Sequence, residues 1–204
     1  MNHVKHPPNG TLSQWILDQF PPGHRGWAVD VGASDGVSIN TTWALEKAHF
    51  WSVLSVEANP DFAPLLKDER AWVEMCACSD FESSLEDFNV NQDCPESFSA
   101  LKISSHECVR SFHSPNPWKK AKVPVRTLNS LLAKWEYPRL DALCVDVEGG
   151  ELEVLKGLDL NKWRPKAIVS EAWDAGHEYP YLAKFGYKLV GRNVHNDLYV
   201  LEGK

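Results

Sequence analysis

The stretch AVDVGASDGVS, from Ala28 to Ser38, decides the fold of this 204-residue chain. Small apolar residues lead to Asp30, and a loop that contains Gly32 and Gly36 follows directly. A short apolar run ended by glycine is typical of a buried strand and the turn after it. In open parallel sheets, ligands bind beyond the carboxyl ends of the strands. The stretch therefore predicts an α/β fold with a binding site at the glycine loop.

Apolar runs of the same kind recur between helical patterns along the chain. SVLSVE, WVEMCAC, LDALCVDV and PKAIVSE are strand-like, and segments with helix-spaced apolar residues separate them. Runs that are apolar throughout predict strands buried on both faces, and hence a parallel sheet with helices on each side. The length suits one domain with its own core, so we expect a single domain over residues 1–204.

One segment breaks this pattern. Residues 81–120 are rich in Ser, Asn, Pro and His and show no clear periodicity. A structureless segment of this length inside a compact domain is usually a lid or a wall of the binding site, or else disordered. We therefore expect a substrate-side insertion at 81–120 without regular structure.

The glycine loop differs from the two common phosphate-binding loops. It lacks the middle glycine of G-x-G-x-x-G, and no Lys follows as in G-x-x-x-x-G-K-[ST]. Asp30 and Asp35 would repel a pyrophosphate, whereas a cationic or zwitterionic ligand suits them. Glu57 ends the second strand, where a carboxylate accepts both hydroxyls of a ribose, and Ala58 leaves the approach open. These residues predict an adenosine ligand with an amino-acid tail and no phosphates, which is S-adenosylmethionine.

Charge and cysteine content disfavour several classes of partner. Lys and Arg number 21 against 28 Asp and Glu, which gives a net charge of −7 and disfavours a nucleic-acid partner. The five cysteines form no C-x-x-C pair, which favours reduced thiols in a cytoplasmic protein. The sequence shows neither a signal peptide nor a run long enough for a membrane span, so we expect neither.

Six motifs occur in a recognisable order: VDVGASDG, SVEANP, VRTLNSLL, LCVDVEGGELEVLKGL, IVSEAW and FGYKLV. Together they resemble the FkbM family of S-adenosylmethionine-dependent methyltransferases, from about Trp27 to Tyr199. The narrowest signature is D-x-E-G-x-E before a helix that ends in Leu-Lys-Gly-Leu. The resemblance implies a Rossmann-like class I methyltransferase fold, with a seven-stranded, mostly parallel sheet and helices on both faces. It also implies methylation of hydroxyl oxygens on sugars, glycans or natural products.

The resemblance assigns a cofactor site to the loops that follow the strands. Asp30, Gly32 and Gly36 match the loop on the methionine side, and Glu57 matches the ribose acid. Ser79 and Asp80 match the segment that reaches the adenine. The cofactor-binding residues predicted in this way are Asp30, Gly32, Ala33, Ser34, Gly36, Glu57, Ala58, Ser79, Asp80 and Asp146.

Carboxylates follow two neighbouring strands of the predicted sheet. Asp146 and Glu148 come at the end of one apolar strand, and Glu171 and Asp174 at the end of the next. Without a metal, we expect Asp146, Glu148 or His177 to be the catalytic base, with His177 the best single histidine. Carboxylates at Asp146, Glu171 and Asp174 would instead suit a divalent cation such as Mg²⁺. Both alternatives stay open at this point.

Four other residues receive roles from their position. Glu151 lies in the first turn of a helix, where a carboxylate caps free N–H groups. His195 lies near the last hairpin, and we expect it at the surface. Trp118 and Trp173 stand beside the predicted site, where an indole would stack on a sugar ring.

These residues predict an S-adenosylmethionine-dependent O-methyltransferase that acts on a small-molecule or glycan acceptor, with a sugar hydroxyl as the main expectation. One alternative is methylation of a small non-sugar natural product. Another is a non-catalytic methyltransferase fold that serves as a binding module. A nicotinamide-dependent reductase is disfavoured because G-x-G-x-x-G is missing.

Overall fold

A computed structural model describes residues 11–38, 40–92, 99–102, 118–193 and 195–203. Its main sheet has seven strands, in the spatial order β3-β2-β1-β7-β8-β10-β9. The strands are β1 (Trp27–Val31), β2 (Ser52–Glu57), β3 (Trp72–Met75), β7 (Ala142–Val145), β8 (Ala167–Glu171), β9 (Tyr187–Asn193) and β10 (Asn196–Leu201). Neighbouring strands are parallel except that β10 runs antiparallel to β8 and β9. The predicted mostly parallel sheet is confirmed.

A smaller sheet lies between β3 and β7 in the chain. Its strands are β4 (Ala77–Cys78), β5 (Ser83–Asn91) and β6 (Trp118–Arg126), in the order β4-β6-β5. The prediction that 81–120 has no regular structure is therefore wrong for 83–91 and for 118–120. Phe88 and Val90 alternate inward on β5 and are buried with Val123 and Val125 of β6. Residues 93–98 and 103–117 of the predicted insertion lie outside the described residues.

Helices connect the strands of the main sheet. They are α1 (Thr11–Leu17), α2 (Trp43–His49), α3 (Ala63–Glu69), α4 (Leu128–Lys134), α5 (Glu151–Lys156) and α6 (Tyr179–Leu182). Helix α2 begins at Trp43, where Asn40 Oδ1 accepts hydrogen bonds from the backbone N–H of Thr42 and Trp43. None of the helices in the described ranges is long and apolar enough to cross a lipid bilayer.

Alternate residues of the central strands supply two separate apolar clusters, one on each face of the sheet. Val29 of β1 and Leu155 of α5 are fully buried in the first cluster. Ala28 of β1 and Leu45 of α2 are fully buried in the second. Burying a leucine side chain completely contributes about 1.5–3 kcal/mol to folding. The main sheet therefore has a core on both faces, as the uninterrupted apolar runs predict.

Several tryptophans pack at the amino ends of the parallel strands, opposite the edge where ligands bind in such sheets. Trp27 and Trp72 begin β1 and β3, and their ring centroids are 5.4 Å apart. Trp135 stacks on Trp72 at 6.0 Å, and Tyr137 meets the edge of Trp27 at 5.2 Å. These three indoles stabilise this end of the sheet, so some of the chain's nine tryptophans are structural.

Candidate active site

A cleft of about 730 Å³ opens at the carboxyl ends of the parallel strands. This volume is in the range of small-molecule and cofactor sites. Residues at or after the carboxyl ends of β1, β2, β7 and β8 line it, and β5 and residues 99–102 contribute to its wall. The predicted site residues that line it are Gly32, Ala33, Ser34, Glu57, Ala58, Ser79, Asp80, Asp146, Glu148 and Glu171.

Gly32 stands where β1 and β7 end side by side. Its φ is +88°, and a Cβ built on it would lie 1.7 Å from the carbonyl oxygen of Asp146. Only glycine fits such a close backbone approach. Gly36 has a φ of +84° and packs on Leu66 and Arg70, away from the cleft lining. Gly36 therefore shapes the loop without lining the predicted cofactor site.

Asp30 lies behind the glycine loop and does not line the cleft, although we predicted that it binds the cofactor. Its Oδ2 accepts hydrogen bonds from Asn40 Nδ2 at 2.8 Å and from Thr42 Oγ1 at 2.7 Å. Arg70 is fully buried, 3.7 Å from Asp30 Oδ2 and 2.6 Å from Glu46 Oε2. Asp30 is thus a positioning residue that ties the loop to α2 and α3.

Glu57 sits at the carboxyl end of β2, and both of its oxygens are oriented by the backbone. Oε2 accepts from the N–H of Ser34 at 2.7 Å, and Oε1 accepts from the N–H of Asn59 at 2.6 Å. Burial raises the pKa of Glu57, and these two hydrogen bonds oppose that shift. A carboxylate has about four lone-pair sites, so the fixed group can still accept two ligand hydroxyls.

Ser34 shows that the glycine loop presents a polar atom to this site. Its Oγ is buried without a hydrogen-bond partner among the described residues, and its φ is +51°. A buried hydroxyl without a partner costs free energy that a bound ligand can recover. Ser34 and Glu57 line the same part of the cleft, so the pair fits a polar ligand such as a ribose.

The turn after β7 is held by Glu151, as its predicted capping role requires. Its Oε1 accepts from the N–H groups of Val147 and Gly149, each at 3.0 Å. Burial raises the pKa of Glu151, and the two hydrogen bonds oppose that shift. Glu148 and Gly149 have φ values of +62° and +106°. The turn therefore bends sharply and leaves Glu148 on the cleft lining.

Three carboxylates converge at the floor of the cleft. Asp146, Glu148 and Glu171 each place one oxygen within 4.8 Å of the other two. Asp174 does not belong to this group, because the chain turns away after Glu171, so Glu148 replaces it in the predicted cluster. Glu171 is buried, and its Oε2 has no hydrogen-bond partner among the described residues.

Crowding changes the protonation of two of these carboxyls. Asp146 is open to the cleft on one side and enclosed by protein on the others, and this loss of hydration raises its pKa, with a further contribution from Glu151. Burial raises the pKa of Glu171 still more, and the negative charge of Asp146 adds to it. Two carboxyls enclosed this close together cannot both ionise freely, so the pair retains a proton more strongly than isolated carboxyls do.

The cleft as a whole favours positive ligands. Lys102 is the single lysine or arginine among the described lining residues. The acidic lining residues are Glu57, Asp80, Glu86, Asp87, Asp146, Glu148, Glu153 and Glu171. Carboxylates in this number attract a sulfonium or ammonium group and repel a phosphate.

Three further residues with predicted roles at the site, His177, Trp118 and Trp173, do not line the cleft. His177 is exposed in the turn before α6, Trp118 begins β6, and Trp173 packs against His195. His195 is exposed, as expected, and it also lines the cleft, which the sequence did not indicate. The hairpin register that brings it there is a long-range feature that no local pattern reveals.

The Leu-Lys-Gly-Leu segment has a packing function beside the site. A Cβ on Gly157 would lie 2.3 Å from the carbonyl oxygen of Ser79. The absence of a side chain therefore lets the end of α5 approach the strand end that carries Ser79 and Asp80. Both of these residues line the cleft where the adenine is predicted.

Comparison with known proteins identifies the family. Residues 30–189 match the Methyltransferase FkbM domain. The chain belongs to the FkbM methyltransferase family. A crystal structure of an FkbM methyltransferase from Methylobacillus flagellatus KT has a similar fold, with a TM-score of 0.55 and 15% identity. A precorrin-6Y C5,15-methyltransferase from Geobacter metallireducens GS-15 matches with a TM-score of 0.44 and 13% identity, over 92% of this chain and 84% of that one.

A curated relative matches over a short part of this FkbM chain. Methyltransferase sdnD of Sordaria araneosa is 40% identical over 65 residues, which cover 27% of this chain and 25% of the relative. The Methylobacillus match covers 92% of this chain and 50% of that one. The chain thus spans a quarter to a half of the length of these two proteins.

Proposed function

We propose that this protein transfers the methyl group of S-adenosylmethionine to a hydroxyl oxygen of a sugar or glycan. The observation that carries the proposal is the pairing of a fixed Glu57 carboxylate with a carboxylate floor in one cleft. FkbM family membership implies the same donor. The chain's acidic cleft supports a positively charged donor over a phosphate-bearing nucleotide.

The donor side of the cleft fits S-adenosylmethionine residue by residue. Glu57 would accept the ribose hydroxyls, with Ser34 Oγ as a further polar partner. Ser79 and Asp80 border the position of the adenine, and Asp146 faces the end where the sulfonium would lie. When bound, the donor supplies a reactive methyl group. The chain's own task is to align the acceptor oxygen with it and exclude water.

The acceptor side combines an acidic floor with an aromatic wall. Asp146, Glu148 and Glu171 offer hydrogen-bond acceptors for a polyhydroxylated ring. Phe81 and Phe88 also line the cleft and offer apolar surface for its C–H face. These rings take the place that sequence reasoning gave to Trp118 and Trp173. Residues 99–102 also line the cleft, which supports the acceptor-wall role proposed for 81–120.

The carboxylate floor also has the oxygen set of a hard divalent cation. Mg²⁺ binds through one or two carboxylates plus water and substrate oxygens. The favouring observation is the buried Oε2 of Glu171 without a partner among the described residues. A cation between Asp146, Glu148 and Glu171 would hold an acceptor diol and lower the pKa of one hydroxyl.

One assay tests donor, acceptor and cation together. The purified chain is incubated with S-adenosylmethionine and a panel of methyl glycosides, oligosaccharides, phenols and aliphatic alcohols, with and without EDTA. We expect methyl ethers on the sugars and release of S-adenosylhomocysteine. Methylation confined to the phenols and alcohols would favour the non-sugar alternative. Full activity in the presence of EDTA would exclude a divalent cation from the reaction.

Binding without transfer would favour the third alternative, a non-catalytic binding module. Calorimetry with S-adenosylhomocysteine separates this outcome from a misfolded preparation, because the module would still bind it.

We also propose a cytoplasmic location. The support is that Cys76, Cys78 and Cys144, the described cysteines, are free and buried thiols.

A further inference from the structure

His195 stands beside the carboxylate floor of the cleft. It follows β9 and directly precedes Asn196, the first residue of β10. Asn196 is the register partner of Glu171, so the hairpin brings His195 to the carboxyl end of β8. His195, Glu171 and Asp146 line the same cleft. The imidazole is therefore on the acceptor side of the site.

The position of His195 is fixed by the segment that follows Glu171. Its carbonyl oxygen accepts a hydrogen bond from the N–H of Ala172 at 2.6 Å. Its ring packs on Trp173, with centroids 5.1 Å apart and planes tilted by 42°. The backbone contact sets the height of the residue above the sheet, and the indole limits rotation of the imidazole. Trp173 is thus a positioning residue for His195.

An ion pair between the partly exposed Arg192 and the buried Asp197 holds the same hairpin. Arg192 Nη1 is 2.9 Å from Oδ1 of the fully buried Asp197, and Arg192 Nη2 donates to the carbonyl oxygen of Ala172 at 2.9 Å. Asp197 Oδ2 also accepts from the N–H of Gly176 at 2.7 Å. These contacts join both strands of the hairpin to the chain after β8. A side chain carried between them is pre-organised for chemistry.

The carboxyls of the floor have another use in the site. Asp146, Glu148 and Glu171 each place one oxygen within 4.8 Å of the other two, where they can accept hydrogen bonds from acceptor hydroxyls or hold a cation. Imidazole is the side chain whose ordinary pKa lies nearest to neutral pH, which makes it the commonest general base. His195 is the described histidine that lines this cleft.

From this geometry we infer that His195 is the general base of the transfer, which rests on the function proposed above. As the acceptor oxygen forms its bond to the methyl carbon, the bond from that carbon to sulfur breaks, and sulfur keeps the electron pair. The hydroxyl proton passes to the free ring nitrogen of His195 and then to solvent. The products are a methyl ether and S-adenosylhomocysteine. The charged residues on the elements that pack against His195 are Glu171 at the end of β8, Asp174 after it, and Arg192 and Asp197 in the hairpin; Asp146 and Glu148 line the same cleft.

Substitution and chemical rescue test this role. We expect His195→Ala to lower kcat by about 10²-fold or more, the usual weight of a positioned base. Added imidazole should restore part of that loss in a concentration-dependent way. The affinity for S-adenosylhomocysteine should stay within about twofold of wild type, because His195 acts on the acceptor. Trp173→Leu should lower kcat by a smaller factor than His195→Ala, with little change in the acceptor KM.

His177→Ala is the matched control, since His177 is exposed outside the cleft and should leave kcat unchanged. A wild-type kcat in His195→Ala, or a loss that imidazole does not restore, would overturn the role of His195 and leave the methyltransferase proposal standing. If the wild-type chain methylates none of the glycosides, phenols or alcohols, the proposed function and the role of His195 fail together.

Discussion

Gly32 and Asp146 meet backbone to backbone, and a Cβ on Gly32 would lie 1.7 Å from the Asp146 carbonyl oxygen. This contact joins the glycine loop to the strand end that carries the carboxylate floor. The N–H of Asp146 also donates to the carbonyl oxygen of Val31 at 2.9 Å. The glycine loop and the carboxylate floor therefore meet at one backbone junction between β1 and β7.

Replacing Gly32 tests that junction. Gly32→Ala should destabilise the fold well beyond the cost of a left-handed alanine, which is about 1–2 kcal/mol, because the strand ends must also separate. Gly23→Ala is the matched control, since Gly23 has a φ of +78° but nothing within 4 Å of its added Cβ. Urea unfolding of both variants gives the two free energies. Equal losses would show that the close approach is unimportant.

Glu57 should dominate the affinity for the donor product. Glu57→Gln replaces one acceptor oxygen with an N–H₂ group that faces backbone donors. We expect S-adenosylhomocysteine to bind about 10- to 100-fold more weakly, which corresponds to a charged hydrogen bond worth about 1.5–3 kcal/mol. Calorimetry measures the change. Glu74→Gln is the control, because Glu74 binds Lys134 and Trp135 away from the cleft. Equal affinities in both variants would contradict the ribose assignment.

Asp146 should matter for turnover more than for binding. Asp146→Asn keeps the shape of the side chain and should retain the fold and the affinity for S-adenosylhomocysteine. Turnover should fall by about 10²-fold or more, whether the carboxylate positions the acceptor or holds a cation. Asp174→Asn provides the comparison, since Asp174 is exposed outside the carboxylate cluster and should leave turnover unchanged. A strong loss of turnover in Asp174→Asn would instead support Asp174 as a cation ligand, as expected from the sequence.

Glu178, which does not line the cleft, should make the stability of the fold depend on pH. Burial raises its pKa from 4.5 to about 7 in the folded state. The folded chain therefore binds more protons than the unfolded chain between these values, and stability falls as the pH rises through this window. Glu178→Gln stays neutral, so its melting temperature should fall less than that of wild type between pH 5 and 8. Glu69→Gln, at an exposed position, should follow the wild-type curve. If the melting temperatures of all three proteins change with pH in the same way, Glu178 does not contribute to the pH dependence of stability.

The main sheet was predictable because its signal is local. Strands such as Trp27–Val31 and Ala142–Val145 are apolar throughout, and a strand buried on both faces needs no partner pattern to be recognised. Carboxyl ends of parallel strands share one edge, so Glu57, Asp146 and Glu171 could be placed together. Strand Ser83–Asn91 was missed because polar residues such as Glu86 and Asp87 mask the alternation of Phe88 and Val90.

The errors at the site come from features that strand ends do not encode. His195 reaches the cleft through the antiparallel register of β10 with β8, a pairing between distant parts of the chain. Glu148 joins the floor because Glu151 bends the turn after β7. Asp30 lies near the carboxyl end of β1, as a ligand residue would, but its carboxylate pairs with the buried Arg70 behind the loop.

The most direct test of the account is the fate of a labelled methyl group. The chain is incubated with S-adenosylmethionine that carries ¹³C in its methyl group, together with the glycoside, phenol and alcohol panel. Carbon NMR and mass spectrometry of the products then locate the label. We expect a labelled O-methyl ether on a sugar hydroxyl and an equal amount of S-adenosylhomocysteine. Label found only on nitrogen, carbon or non-sugar oxygen, or left wholly on the donor, would contradict it.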